Sequence, residues 1–248
     1  MASTSEQGHN RNAANFDKLI THCVSYGTAY NPSKAAIKVA AIQAQATAAR
    51  NSLTAVNTLT PAYKNAVAAR TAAFKPLDKL ITKVSNALKA SDTTPEVNDA
   101  AKTIIRKLQG RRATPKKTDE EKKTAADAGE EIVEISTSQL SYDNRLDNFD
   151  KLIKMLAAIP QYAPNEADLK ITALTAIYND LKTKNTAVIS AEIPLNNARI
   201  TRNTLLYKDG TGVVDTAATI KTYIKSVYSP SSPQSKAISK LEFVKYSN

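Results

Sequence analysis

The sequence predicts an all-α protein made of two tandem, homologous helical bundles of four to five helices each, joined by a charged, partly helical connector. Three observations predict it. A series of residue blocks occurs twice in the same order, apolar residues recur at alternating three- and four-residue steps, and 248 residues contain only six glycines. So few glycines do not suit a turn-dense all-β fold.

The repeat sets the domains. Asn15-Phe16-Asp17-Lys18-Leu19-Ile20 returns as Asn148-Phe149-Asp150-Lys151-Leu152-Ile153, and a Ser-Thr-Ser triplet lies upstream of each, beginning at Ser3 and Ser136. Tyr30-Asn31-Pro32 returns as Tyr162-Ala163-Pro164, Arg70 as Arg202, and Thr93-Thr94-Pro95-Glu96 as Ser231-Ser232-Pro233-Gln234. The offset drifts from 133 to 132 and then to 138, as small loop insertions would make it. The expected units are therefore residues 3–110 and 136–248, with the connector at 111–135.

Each expected element follows from spacing. His9, Ala13, Phe16, Ile20 and Cys23 share one face of a first helix, matched by Tyr142, Leu146, Phe149, Ile153 and Leu156. Pro32 and Pro164 mark a loop before a long helix, with a seam of Ile42, Ala46, Ala49, Leu53 and Val56 against Leu174, Tyr178, Leu181 and Val188. Pro61 and Pro194 are expected to open a third helix, reaching about Phe74 and Tyr207. A break follows at Pro76 in one copy and an open loop at Asp209-Gly210-Thr211-Gly212 in the other. Leu77, Leu80, Val84, Ala87 and Leu88 face inward on a fourth helix, as do Ala217, Ile220, Ile224, Val227 and Tyr228. Thr94 and Ser232, each followed by proline, are N-caps of a last helix that stops at Gly110 in the first copy. In the connector, Thr118 and Glu121 have capping-box spacing ahead of a helix running to about Ile135.

Composition limits the chemistry. Apolar residues are 42% and charged residues 23% of the chain, a globular balance rather than a disordered one. One cysteine, Cys23, cannot make an intramolecular disulfide, and with His9 and His22 it supplies no zinc ligand set. His22 and Cys23 are adjacent and so point about 100° apart on a helix, which does not suit a nucleophile and its base. The Asp209–Gly212 loop lacks the lysine-serine ending of a P-loop. No enzyme activity, cofactor, metal or small-molecule substrate is expected. The start Met1-Ala2-Ser3-Thr4-Ser5-Glu6-Gln7 has no signal-peptide pattern and no apolar run of about 18 residues follows, so the expected place is the cytoplasm, without a membrane.

Charge supplies the candidate sites. Residues 1–110 carry 14 basic and 6 acidic side chains (+8), 111–135 carry 6 and 7 (−1), and 136–248 carry 14 and 10 (+4). Arg106, Lys107, Arg111, Arg112, Lys116 and Lys117 fall in an acid-free stretch that is a candidate polyanion site. No nucleic-acid-binding motif and no interleaved aromatic residue accompanies them. Arg70 and Arg202 lie in apolar surroundings, and a buried guanidinium needs a partner, for which Asp17 and Asp150 are the candidates. The alternative reading of Arg70 and Arg202 is a repeated anion site.

Arg145-Leu146-Asp147-Asn148-Phe149-Asp150-Lys151-Leu152-Ile153, Tyr162-Ala163-Pro164-Asn165-Glu166-Ala167-Asp168-Leu169-Lys170 and Gly110-Arg111-Arg112-Ala113-Thr114-Pro115 carry a resemblance. Over most of its length the chain resembles uncharacterised, hypothetical proteins of Bacteroidetes. That resemblance implies a bacterial origin and no activity. The functional expectation is a non-catalytic helical scaffold or interaction protein, presenting bundle faces to a protein partner or to itself. The alternative is a basic nucleic-acid-associated protein binding phosphates non-specifically through the 106–117 patch. A membrane-active helical toxin fits less well, because the apolar faces are needed for internal packing.

Overall fold

The computed structural model describes residues 4–111, 118–128 and 140–246; among them every regular element is helical and no strand occurs. In chain order the α-helices are α1 (Thr4–Ser25), α2 (Val39–Phe74), α3 (Leu77–Lys89), α4 (Pro95–Leu108), α5 (Asp119–Asp127), α6 (Tyr142–Ala157), α7 (Ile171–Tyr207), α8 (Val213–Val227) and α9 (Pro233–Ser239). Single 3-10 turns at Ala35–Ile37 and Ala167–Leu169 precede the two long helices.

Most boundaries have the chemistry that the sequence advertises. Thr118 and Glu121 form the reciprocal capping box of α5. Ser232 accepts from the Ser235 N–H at 3.1 Å to cap α9, with Pro233 at the first helical position. Thr94 occupies the same place before α4 but makes no capping bond with its side chain. Gly110, at φ +65°, ends α4 in a Schellman motif: Arg111 N–H donates to the Arg106 carbonyl and Gly110 N–H to that of Lys107. The connector residues 112–117 and 129–139, with Arg112, Lys116, Lys117 and the Ser136 triplet, lie outside the described residues.

Pro61 and Pro194 do not open new helices. They lie inside α2 and α7, which run unbroken for 36 and 37 residues. An interior proline costs about 3 kcal/mol because it removes one backbone hydrogen bond and crowds the carbonyl four residues back. Pro61, Pro194 and the residues four before them, Asn57 and Ser190, are all exposed, so water can satisfy the released carbonyls.

This continuity changes the domains. The compact units are not 3–110 and 136–248. One unit combines Met1–Lys64 with Ser190–Asn248, and the other is Asn65–Ile189. The reason is the same pair of helices: each runs on past its proline, so the front of each sequence copy shares a core with the rear of the other. In the first unit, Phe16, Leu19 and Cys23 of α1 and Ile42 and Ala49 of α2 pack with Leu206 of α7, Ala217, Ile220 and Ile224 of α8 and Ile238 of α9. In the second, Phe149, Leu152 and Leu156 of α6 and Leu174 and Leu181 of α7 pack with Phe74 of α2, Ile81, Val84 and Leu88 of α3 and Ile105 and Leu108 of α4. Some inward expectations shift: Leu80, Ala87 and Tyr228 are half-buried at the edges of their cores, with Ile81 taking the interior, and Val227 is exposed.

The first unit closes with a tail that has no regular secondary structure, residues 241–246. Asn12 on α1 reads its backbone in both directions, donating to the Val244 carbonyl at 2.7 Å and accepting from the Val244 N–H at 3.0 Å. Gly8 leaves room for the Tyr246 ring, whose atoms lie within 2.5 Å of where a Cβ would stand.

Candidate functional site

Each unit has a groove at the same place, walled by the end of one long helix, the helix that follows it and the early turns of the other long helix. In the Asn65–Ile189 unit the groove holds about 770 Å³. Leu77 and Leu181 belong to its buried floor, Leu80 and Ile177 are its half-buried walls, and Ala73 and Ala176 leave it deep. Lys79 and Asp180 lie on its rim, on α3 and α7. Lys83 pairs with Asp168 of the 3-10 turn at 3.1 Å.

The groove of the other unit is smaller, about 360 Å³, and lined by Thr204, Thr211, Thr216 and Thr219 with Lys34 and Lys208. Its equivalent positions hold Gln45 for Ile177, Leu205 for Ala73 and Thr216 for Leu80. The difference comes from a loop. Lys75 and Pro76 alone separate α2 from α3, whereas residues 208–212 separate α7 from α8. Gly210 and Thr211 line the smaller groove, and the Gln45 side chain donates to the Thr211 carbonyl at 2.9 Å. Gly212 is pressed onto the end of α7, and Asp215 on the first turn of α8 accepts from the Gly210 N–H at 2.7 Å. Lys245 of the tail pairs with Asp209 and, at 3.5 Å, with Asp215.

The expected Arg70 and Arg202 partners are replaced by others. Arg70 donates to the Asn185 side chain at 3.0 Å, and its guanidinium lies 4.0 Å over the Tyr142 ring. Asn185 in turn donates to Asp143 at 2.7 Å. Tyr142 meets Phe74 edge-on at 4.8 Å, and Arg145 lies 5.7 Å from Phe74 while pairing with Asp78 at 2.6 Å. Two cations therefore flank an aromatic pair, a cheaper burial than an isolated charge. Arg202 is buried and donates twice to Asn203 at 3.0 Å. Asp17 pairs instead with Arg50, and Asp150 with Lys154 one turn on at 2.6 Å. Asp17 and Arg70 belong to different units, as do Asp150 and Arg202, because α2 and α7 carry the arginines out of the unit that holds the acids.

Of the basic patch, Arg106 and Lys107 occupy the last turn of α4, where cations interact favourably with the helix dipole, and Arg111 is exposed. Arg106 also donates to Thr103 at 3.3 Å. Cys23 is buried beside Tyr30, and burial pushes its thiol up to about 11. His9 shares a 2.5 Å hydrogen bond with the Tyr207 hydroxyl, whose ionisation burial pushes up to about 12 against the pull of Asn12 and Arg202. Among the described residues no cluster of three His, Cys, Asp or Glu could hold a metal ion, and no helix is long and apolar enough to cross a membrane.

The groove was missed in the sequence, although a signal existed. Ile177 stands off the seam of Leu174, Tyr178 and Leu181, and an apolar residue beside a seam widens the apolar face beyond what one neighbour covers. Comparison of the chain with protein-family models, curated proteins and solved structures gave no match.

Proposed function

We propose that this protein is a non-catalytic helical interaction protein that offers the faces of its helical units to a protein partner or to another copy of itself. The observation that carries the reading is the pair of equivalent grooves: one is narrowed by the chain's own loop, with Gln45 bonded to Thr211, and the other is left open and apolar around Leu80 and Ile177. Open apolar surface of this kind marks interaction sites. In the other unit, Ile193 and Ile200 are 56% and 63% exposed and two turns apart on α7, hence on one face. The buried, protonated Cys23 supports a structural rather than nucleophilic role for the cysteine.

We also propose that the two units descend from one duplicated module, which the repeated sequence blocks, the matched grooves and the matched 3-10 turns support.

Light scattering of the purified chain, followed by native cross-linking in lysate with mass spectrometry, tests the functional reading. The expected result is a defined complex with another polypeptide or with itself. A lone monomer that turns over a metabolite would overturn it.

A further inference from the structure

We infer that the tail, residues 241–246, is an exchangeable strap: in a pair of chains, the tail of each copy lies on α1 and α8 of the other and makes there the contacts it makes here with its own. This deepens the interaction reading, on which it rests, by naming a second copy as the partner and the segment that joins the two.

The seat of the tail reads a peptide backbone. Asn12 on α1 holds both the N–H and the carbonyl of Val244, Asn15 on the same helix donates to the Glu242 carbonyl at 2.8 Å, and Lys221 on α8 donates to that of Leu241. Side chains fix the register. The Lys221 ammonium lies 5.2 Å from the centre of the Phe243 ring, and Tyr246 fits against Gly8 with its ring edge-on to His9 and Tyr207. Arg11 meets Glu242 at 2.6 Å, and Lys245 meets Asp209 and Asp215. Asn12 is buried beneath the tail, and an empty seat would strip its amide of both Val244 bonds. The seat therefore favours being occupied.

The tail itself is held loosely. None of residues 241–246 is fully buried, its ion pairs are open to water and screened by salt, and no regular structure has to break for it to lift. Its link to α9 is the exposed Lys240, beside a single turn bond from the Leu241 N–H to the Ile238 carbonyl at 3.2 Å. A seat that needs an occupant thus lies under a segment that can leave without unfolding the helices. The sequence that fits the seat is the tail's own, and a second copy supplies it. Contacts made between copies equal those made within one, so concentration decides between the two arrangements.

The test treats the full chain with a carbodiimide, which joins Lys245 to Asp209 or Asp215 where they touch. Light and heavy-isotope protein are combined at high concentration, one sample directly and one refolded together from urea, and the joined peptides are weighed by mass spectrometry. Exchange predicts joined peptides with one light and one heavy partner, approaching about half of the total where light scattering shows dimer and falling on dilution. Light Arg11→Glu is then combined with heavy Glu242→Arg. Each chain repels its own tail and matches the other's, so the mixed share should rise above that of the unsubstituted protein, and placing both substitutions in one chain should return it. Same-isotope links alone in both unsubstituted samples overturn the inference, as does a mixed share that the charge exchange leaves unchanged. Dimers without mixed links, or a lysate complex with another polypeptide and no mixed links, remove the exchange and leave the interaction reading. A monomer that shows neither removes both.

Discussion

Tyr162 donates its phenolic hydrogen to the Leu169 carbonyl at 3.0 Å, spanning the loop between α6 and α7, and Tyr30 makes the same bond to Ile37 at 2.6 Å in the other unit. Each ties a buried side chain to the 3-10 turn that launches a long helix. Tyr162→Phe keeps the ring and removes the donor, which should lower stability by about 1 kcal/mol in urea denaturation. An unchanged midpoint would show that water replaces the phenol.

Alkaline pH should unfold the protein through the same groups. Burial raises Tyr162 and Tyr207 from the ordinary 10 to about 12, and Cys23 from 9 to about 11. A raised folded-state value means that the neutral form belongs to the fold. The stability these groups contribute is complete below their unfolded values and is lost as pH climbs through the folded ones. Urea midpoints should therefore hold to about pH 9 and fall towards pH 12. The fall should be shallower in a Tyr162→Phe, Tyr207→Phe double variant.

Gly212 and Gly210 are required for different reasons. A Cβ on Gly212 would lie 2.7 Å from the Lys208 nitrogen and 2.8 Å from the Leu206 carbonyl oxygen, both backbone atoms that cannot swing aside. Gly210 has open space but a φ of +73°. Gly212→Ala should cost about 1–3 kcal/mol by overpacking and shift Gln45 and Thr211. Gly210→Ala should cost about 1–2 kcal/mol from backbone strain alone. Thermal melts of the two variants, with chemical shifts of the Gln45 side chain, separate these effects.

Phe149 is fully buried in a core that includes α3 and α4, from the other sequence copy. Phe149→Ala should cost about 3–5 kcal/mol, and hydrogen exchange should speed up over residues 77–108 while 213–239 stay protected. Phe16→Ala should do the reverse. Exchange confined to each mutation's own sequence half would refute the shared cores.

Cutting the connector offers an independent check. With a protease site placed between residues 112 and 117, the cleaved pieces should stay together in gel filtration and part only in denaturant. Each core needs both pieces. Tandem bundles that close on their own halves would separate under native conditions.

Much of the fold was legible. Phe16, Ile20 and Cys23, and Phe149, Ile153 and Leu156, were readable as buried faces because a 3.6-residue period leaves little freedom about which side turns inward. The caps at Thr118 and Ser232 and the stop at Gly110 were legible because their bonds are local. The candidate site was less so. The partners of Arg70 and Asp150 were misread, since nearness across a core depends on which helices share it. The groove needed the side-by-side placing of Leu80 and Ile177, which are almost a hundred residues apart.

By itself the sequence determined that the protein is helical, where most helices start and stop, and which faces are apolar. Only the tertiary structure decided which faces meet. Apolar burial is non-directional, and two similar copies offer each stripe two similar partners, one in its own copy and one in the other. The choice fell to α2 and α7, which continue through Pro61 and Pro194 and carry the rear of each copy into the core begun by the other.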